Sequence, residues 1–245
     1  MTGLTTAQLL AAGLVLVYLL DSMHFLCLDE AVLRTRGGRL ATLSFGSGLE
    51  LGGRRPFLPN PFTPHRPEFR LQLDLATASA AATPAAEIDA SLRARLAAVA
   101  VLRGLSAACA LLTVLAAPAA LLAGSDAGFL LVVACAWLLM LVAGTLALRA
   151  RAALGLGTGE VLGMAVIALV CLPCAGNFTR ALLARPRPTL DATALLQLPL
   201  ADMDEAARRS VLRAALARLR RRTTEDSRAA RTLDAELARL GEDHP

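Results

Sequence analysis

Residues 128–148 read GFLLVVACAWLLMLVAGTLAL, a run of 21 residues without a single charged side chain. An α-helix rises about 1.5 Å per residue and the hydrocarbon core of a bilayer is about 30 Å thick, so this run is long enough to cross a membrane. Outward from it, further apolar stretches lie at 104–122, at 161–179 and within 1–28. The fold class that we predict is a mainly α membrane protein with three or four transmembrane helices.

The composition of the whole chain favours the same class. Of its 245 residues, 56% are hydrophobic and only 18% are charged, and the mean hydropathy is +0.55. These values exclude a disordered chain and an ordinary cytosolic domain. The first eight residues carry no charged side chain, and two acids, Asp29 and Glu30, follow the first apolar segment. A cleavable signal peptide has a basic start, so we predict that residues 1–28 are an uncleaved transmembrane anchor.

The last apolar segment is short for a membrane span. The stretch from Val161 to Gly176 has 16 residues and contains Pro173. A transmembrane helix usually needs about 17–25 residues, and a proline inside a helix kinks or breaks it. Two arrangements stay open for residues 161–179: a kinked crossing, or a segment that enters the membrane and returns.

Between the first and second spans, residues 29–82 change to the periodicity of strands. Apolar and polar residues alternate over 68–75 and again over 41–45, as in strands with one buried face. Gly52-Gly53 suits a tight turn, and the prolines between 56 and 67 favour an extended loop. We predict a small antiparallel β module of three or four strands after the first helix.

The rest of the chain divides into a helical membrane region, 83–185, and a soluble helical tail, 186–245. Leucines recur at helical spacing in the tail, but Thr223 and Asp226 interrupt the apolar seam. We therefore favour two short amphipathic helices over one long coiled coil.

The positive charge lies beside the predicted spans. All 25 basic residues are arginine, and the net charge is +5. Residues 93–190 hold eight arginines against two acids, whereas 29–92 and 191–245 are each neutral. Arginine beside a span sets its orientation in the bilayer, so the surplus points to lipid and not to nucleic acid. We predict a multipass protein of the bacterial cytoplasmic (inner) membrane.

The same arginines predict a topology with one conflict. Arg93, Arg95 and Arg103 precede the second span, and Arg149 and Arg151 follow the third, which places both ends of that helix pair in the cytoplasm. If the last segment crossed fully, the arginine-bearing start of the tail would lie outside, against the same rule. Either that segment is re-entrant, or one of the orientations is inverted.

Cys171 and Cys174 are the only two of the five cysteines with a chemically meaningful spacing. Two thiols three positions apart can close a disulfide or hold a soft metal. The pair, within about four membrane helices, resembles the quinone-coupled disulfide-forming oxidoreductases of bacterial membranes and the vitamin K epoxide reductases. Those families use a second cysteine pair, whereas Cys27, Cys109 and Cys135 stand alone. We favour apolar cysteines beside a proline and keep thiol catalysis as the alternative.

Polar residues within apolar helices are candidate site residues. Asp21, His24 and Cys27 recur every third residue, so on a continuous helix they would share one face. Three ligands do not complete a structural metal site, and we expect no metal there. Hydrogen bonding between Asp21 and His24, or to another helix, is the simpler interpretation.

A glycine pattern surrounds Glu160, the only acid in the second half of the membrane region. Gly155, Gly159 and Gly163 are spaced by four, which predicts a glycine-lined helix face for close packing. Glu160 itself could take a proton or pair with an arginine. The candidate partners are Arg103 and Arg180.

Two short motifs carry a family resemblance. Val17-Tyr18-Leu19-Leu20-Asp21, followed by a β stretch containing Asn60-Pro61, resembles functionally uncharacterised bacterial multipass membrane proteins. The resemblance implies a bacterial membrane protein and carries no activity. No nucleophile-elbow, zinc-protease or nucleotide-binding pattern occurs in the sequence.

The function that we expect is therefore that of a structural or protein-interaction subunit without catalysis and without a cofactor. Its expected contacts are the bilayer and either a partner protein or a second copy, bound through the β module or the tail. The alternatives are a membrane thiol-disulfide oxidoreductase using Cys171 and Cys174, and a small transport-associated protein using Asp21, His24 or Glu160.

Overall fold

A computed structural model describes residues 4–64, 66–73, 85–185, 187–190, 192–223 and 228–242. In chain order the elements are α1 (Thr6–Ser22), β1 (His24–Leu26), β2 (Glu30–Arg36), β3 (Arg39–Ser44), β4 (Arg55–Phe57), β5 (Glu68–Leu73), α2 (Ala85–Ala98), α3 (Ala100–Leu111), α4 (Ala117–Leu122), α5 (Asp126–Leu154), α6 (Thr158–Val170), α7 (Phe178–Ala184), β6 (Thr189–Leu190), α8 (Ala192–Gln197), α9 (Glu205–Arg222) and α10 (Arg228–Glu242). A π-helical turn, Leu112–Ala116, joins α3 to α4, and a 3₁₀ helix, Leu172–Asn177, joins α6 to α7. Helix predominates beside a small sheet, which confirms the mainly α class.

The chain forms two compact units that interleave in sequence. The first, here called the helical unit, comprises Met1–His24, Leu58–Pro67 and Arg95–Pro186. The second, here called the mixed unit, comprises Phe25–Phe57, Glu68–Ala94 and Arg187–Pro245.

Among the described residues, two helices, both in the helical unit, are long and apolar enough to cross a membrane. Ala100–Leu122, which runs through the π turn, has 23 residues with mean hydropathy 2.2, and Asp126–Leu154 has 29 residues with mean hydropathy 2.6. They contain the predicted spans at 104–122 and 128–148. The other two apolar helices, α1 and α6, have only 17 and 13 residues.

The first helix is shorter than the predicted anchor of residues 1–28. It begins with a capping box between Thr5 and Gln8 and ends at Ser22, whose hydroxyl donates to the Tyr18 carbonyl. Met23 is already extended, and the next residues form β1. A hydroxyl bound to the carbonyl four residues back competes locally with helix geometry near the helix end.

Residues 161–179 do not form one continuous helix: α6, the 3₁₀ helix and the start of α7 follow one another there. Helix α6 ends at Val170. Pro173 has no N–H to give to the Leu169 carbonyl, which is the acceptor four residues earlier. The indole Nε1 of Trp137 on α5 donates to that carbonyl at 3.0 Å. The proline therefore ends the helix, and a neighbouring side chain satisfies the acceptor left behind.

Close packing within the helical unit occurs at glycines that the sequence pattern did not identify. A Cβ on Gly144 of α5 would lie 3.4 Å from the Ala165 Cβ of α6. A Cβ on Gly176 would lie 2.9 Å from Tyr18 Cε2 and 3.0 Å from Ala110 Cβ, closer than side chains can approach without a shift. Gly176 thus lets α1, α3 and the 3₁₀ helix meet.

The main sheet of the mixed unit has the strand order β3-β2-β5-β6. Strand β2 pairs antiparallel with both β3 and β5, whereas β6 joins β5 in parallel, so the sheet is mixed where an antiparallel one was predicted. A separate two-stranded sheet pairs β1 with β4. The alternating segments did become β3 and β5. Gly52 and Gly53 form the predicted turn with φ of +56° and +78°, closed by a bridge between Leu51 and Arg54.

Beyond β6 and α8, the described part of the tail folds as two helices, α9 and α10, packed on each other. Its buried contacts come from Leu212, Ala215 and Leu216 on α9 and from Ala230, Leu233 and Leu240 on α10. Thr223 ends α9, in agreement with the predicted interruption, while Asp226 lies outside the described residues. Asp74 and Leu75, the last residues of the predicted strand, and residues 76–82, the end of the predicted β region, also lie outside them.

Candidate functional site

A buried polar cluster of the helical unit joins α1, the end of the 3₁₀ helix, α7 and the loop Leu58–Pro67. It consists of Tyr18, Asn177 and Arg180, with the loop carbonyls that they bind, and it is called here the loop latch. All three side chains are nearly inaccessible, with exposed fractions of 3%, 4% and 1%. Buried polar groups are costly unless they are hydrogen-bonded, so their partners determine what the cluster can do.

Arg180 holds the loop by binding the loop's backbone carbonyls. Its Nη2 donates to the carbonyls of Asn60 at 2.8 Å and Thr63 at 2.7 Å, and Nη1 donates to Asn177 Oδ1 at 3.4 Å. The Tyr18 hydroxyl donates to the next loop carbonyl, that of Pro61, at 2.6 Å. Proline supplies no N–H, so the loop 58–67 makes few backbone bonds of its own, and the latch provides partners for its carbonyls.

Asn177 links the latch to the end of α1. Its Nδ2 donates to Ser22 Oγ at 2.8 Å and to Asp21 Oδ2 at 3.0 Å. Asp21, predicted as a functional residue, therefore lies at the edge of the latch. Its neighbour in that prediction, His24, is the first residue of β1, and Cys27 follows that strand. The shared helical face of Asp21, His24 and Cys27 does not exist, because α1 ends before His24.

The structure contains no candidate metal site within the described ranges, where no three His, Cys, Asp or Glu side chains converge. Glu160 was predicted to take a proton or to form an ion pair with an arginine. Its carboxylate accepts a hydrogen bond from the backbone N–H of Gly157 at 2.8 Å and caps α6. A carboxylate near a helix N-terminus is stabilised by the helix dipole. This local role explains an acid at the start of an apolar helix.

The predicted glycine face is not formed within the chain. Gly155 ends α5 with φ of +69°, a left-handed conformation that favours glycine. Gly159 and Gly163 lie on α6, and a Cβ on either would meet nothing within 4 Å. Gly155 is therefore a helix stop, and a packing role for the other two against a separate molecule stays a prediction.

Cys171 and Cys174 form a disulfide at the break between α6 and the 3₁₀ helix, with their Cα atoms 5.4 Å apart. Both residues are half-buried. The other three cysteines are free. Among the described residues, this pair therefore forms the one disulfide of the helical unit.

The mixed unit has a buried carboxylate of its own. The Glu30 side chain, 3% exposed, contacts Arg187 Nη1 at 2.9 Å, receives the Cys27 N–H at 2.7 Å and is bound by Arg70. Burial raises the pKa of the Glu30 carboxyl, but these hydrogen bonds and the two guanidinium charges outweigh it, so the pKa lies below its ordinary value. Glu30 is therefore a charged structural centre of the sheet.

Arg180 and Asn177 were not predicted as functional residues in their own right. Arg180 was predicted only as a possible partner of Glu160, and Asn177 lies in an apolar stretch that carried no prediction for it. One signal was present: the two motifs that carry the family resemblance contain Tyr18 and Asn60, and both belong to the latch.

Comparison with known proteins adds no relative. A scan against protein-family models and searches of curated proteins and of solved structures found no match. The class of protein is therefore defined by the fold alone: a mainly helical chain with a small mixed sheet and two helices long and apolar enough to cross a membrane.

Proposed function

We propose that this protein is a multipass subunit of the bacterial cytoplasmic membrane that acts by binding another protein or a second copy of itself, without catalysis. The observation that carries the proposal is the loop latch. The side chains of Tyr18 and Asn177 and the Nη2 of Arg180 donate to the protein's own backbone and side chains. A polar cluster used in this way positions a surface loop, which supports a role in contact with another molecule.

The burial pattern of α5 supports a location in the membrane. Its buried face is made mostly of small residues, Ala136, Ala143, Gly144 and Ala147, beside Met140. Its exposed face carries large apolar residues: Leu130, Leu131, Trp137, Leu138, Leu141 and Val142. Small residues at helix contacts and large apolar residues outside are typical of helices in lipid. In water such an apolar surface would favour aggregation.

Helix α6 supports a re-entrant last segment. Its 13 residues give a length of about 20 Å, which is short of the roughly 30 Å hydrocarbon core. The chain then turns through a 3₁₀ helix into α7, which has only seven residues. A re-entrant segment keeps Arg185 and Arg187 on the cytoplasmic side, in agreement with the arginines beside the other spans.

Two measurements test the proposal. Reporter fusions at Glu68, Asp126, Gly157 and the C-terminus are expected to place Asp126 outside and the other three in the cytoplasm. Native mass spectrometry of the protein in mild detergent is expected to show a dimer or a stoichiometric complex. A chain that is extracted from membranes by alkaline carbonate, or that is monomeric without a partner at every concentration, contradicts the proposal.

The disulfide between Cys171 and Cys174 favours a second candidate, a membrane thiol-disulfide oxidoreductase. Such an enzyme would pass the two electrons of a substrate dithiol to this disulfide and then to a quinone. Trapping thiols in living cells with a maleimide reagent distinguishes the candidates. An enzyme is expected to show a mixture of oxidised and reduced pairs that shifts when respiration is blocked, whereas a pair that always labels contradicts it.

A further inference from the structure

An apolar groove of about 390 Å³ lies within the helical unit, directly beside the latched loop. One wall is α1, through Val15, Tyr18 and Leu19. The opposite wall is α3 with the π turn, through residues such as Ala107 and Val114, and the roof is the loop around Phe62. The π turn thus contributes directly to the groove. Such turns are frequent at functional sites.

The lining of the groove is suited to a hydrocarbon chain. Tyr18 brings the one side-chain hydroxyl to the lining, and it is already bonded to the Pro61 carbonyl at 2.6 Å. A peptide laid in the groove would leave its backbone N–H and C=O groups unpaired, at several kcal/mol for each group in an apolar medium. A hydrocarbon chain has no such groups, so the lining accepts it without that cost.

The outer edges of the groove continue onto surfaces that we propose face lipid. Leu111 and Leu115 line the groove and are 59% and 61% exposed. Leu16 and Leu20 on α1 are also more than half exposed. In a bilayer these residues meet lipid chains, so a chain can enter the groove sideways without leaving an apolar medium.

The loop that forms the roof also carries an arginine, which lies outside the lining of the groove. Arg66 is exposed, and its N–H donates to the Thr63 carbonyl at 3.0 Å, so it lies on the latched turn. The guanidinium of Arg180 binds that same carbonyl from the buried side. The nearest acid of the latch, Asp21, is bound to Asn177. An anionic group at the polar end of the chain would therefore meet Arg66.

We propose that this groove binds one acyl chain of an anionic phospholipid, with the phosphate of the headgroup beside Arg66. The proposal rests on the membrane location proposed above. The latch fixes the roof, so the groove is formed before the lipid enters, and Phe62, 87% exposed, extends the roof over the chain. The protein thereby carries a lipid as a fixed part of its surface.

Photocrosslinking of the full chain in nanodiscs tests the proposal. The probe is a phosphatidylglycerol with a diazirine in its acyl chain, diluted into phosphatidylcholine, and crosslinks are located by mass spectrometry. Labelling is expected to concentrate on Val15, Leu19 and Val114, above the level at Val142, which is equally apolar but lies on the outer face of α5. Equal labelling of the groove and of Val142 overturns the proposal.

Two variants sharpen the result. Val114→Trp fills the groove and is expected to lower labelling of Val15 and Leu19 to the level of Val142. The matched control, Val166→Trp on the exposed face of α6, is expected to leave it unchanged. Labelling of the groove that survives Val114→Trp contradicts a bound chain.

Headgroup selection depends on Arg66. Arg66→Gln is expected to reduce the preference for phosphatidylglycerol over a diazirine phosphatidylcholine by about fivefold, the effect of one basic residue near an anionic surface. If the unaltered protein is labelled equally by the phosphatidylglycerol and the phosphatidylcholine probes, selection of an anionic headgroup is refuted.

The failure of this inference can be told from failure of the proposed function. A protein that resists alkaline carbonate extraction but shows no preferential groove labelling loses only the lipid site. A second outcome is that the lipid probe fails to label the groove in nanodiscs while a crosslinker carried on a partner protein does label it. The partner protein, and not a lipid, is then the occupant of the groove, and the inference is overturned. A protein released by carbonate loses the membrane location itself.

Discussion

The indole Nε1 of Trp137 donates to the backbone carbonyl of Leu169 at 3.0 Å, and this bond crosses from α5 to the last turn of α6. Trp137→Phe keeps most of the ring but removes the donor. We expect the helical unit to lose about 1–2 kcal/mol, because the Leu169 carbonyl has no N–H from Pro173 to replace the indole. Thermal unfolding in detergent, followed by helical circular dichroism, measures the loss.

The control for this variant is Leu138→Phe, the adjacent exposed position on α5, which donates no hydrogen bond. If both variants unfold at the same temperature, the indole bond contributes nothing to stability.

Gly176→Ala should destabilise the contact of three elements. The added methyl would lie 2.9 Å from Tyr18 Cε2 and 3.1 Å from the Ala110 Cα, and the latter is backbone that cannot turn away. Overpacking of this kind costs about 1–3 kcal/mol. Gly163→Ala is the matched control, because its methyl meets open space and alanine favours a helix by about 0.5–1 kcal/mol. The two melting temperatures should move in opposite directions, and a shift of the same sign in both would refute the packing role of Gly176.

Arg180→Gln should release the loop. The shorter side chain cannot reach the carbonyls of both Asn60 and Thr63, and two buried acceptors without donors cost about 2–5 kcal/mol together. Chymotrypsin should then cut after the exposed Phe62 at least tenfold faster, because cleavage requires a released loop. Arg185→Gln, an exposed position five residues later, should leave the cleavage rate unchanged. A loop equally resistant in both variants would mean that the latch does not restrain it.

Glu30 should make the stability of the mixed unit depend on pH. Its pKa in the fold lies below the ordinary 4.5, so its contribution is complete above about pH 4.5 and is lost as the pH falls through the lower folded pKa. Glu30→Gln should destabilise β2 and β5 by about 2–4 kcal/mol at pH 6, leaving two arginines facing an uncharged amide. Hydrogen exchange of those strands, corrected for the intrinsic rate, measures this effect.

The difference between wild type and Glu30→Gln should shrink as the pH is lowered from 6 through the folded pKa of Glu30, because protonation removes the charge that Gln also lacks. The exposed Glu87→Gln on α2 is the control and should match wild type throughout. A difference that stays constant until the mixed unit unfolds in acid would show that the charge of Glu30 is not its source.

Local patterns predicted the elements that depend on local physics. The long apolar run became α5, the alternation over 68–73 became β5, and the paired glycines became a turn. Strand β2 was missed because six of its seven residues are buried or half-buried on both faces, so it shows no alternation. The sequence left a kinked crossing and a re-entrant segment open after α6, because the Trp137 side chain that binds the Leu169 carbonyl at the break lies 32 residues away.

The candidate site could not be predicted for a related reason. Arg180 and Asn60 are 120 residues apart, and nothing in either stretch signals the other. Asp21 was noted as a polar residue at the end of an apolar segment, but its partner Asn177 lies 156 residues later. The expected face with His24 failed because helix α1 ends at Ser22, where a side-chain hydroxyl binds the helix backbone.

The 120 residues between Asn60 and Arg180 also impose a delay between synthesis of the loop and synthesis of the arginine that binds it. A ribosome adds about 5–20 residues per second, so the roof of the groove must wait roughly 6–24 s for the arginine that fastens it. Closing so long a loop also carries a larger entropy cost than a local contact. The appearance of α7 is therefore the step that completes the helical unit, and a nascent chain halted before it would carry its long apolar helices with the loop 58–67 not yet bound by Arg180.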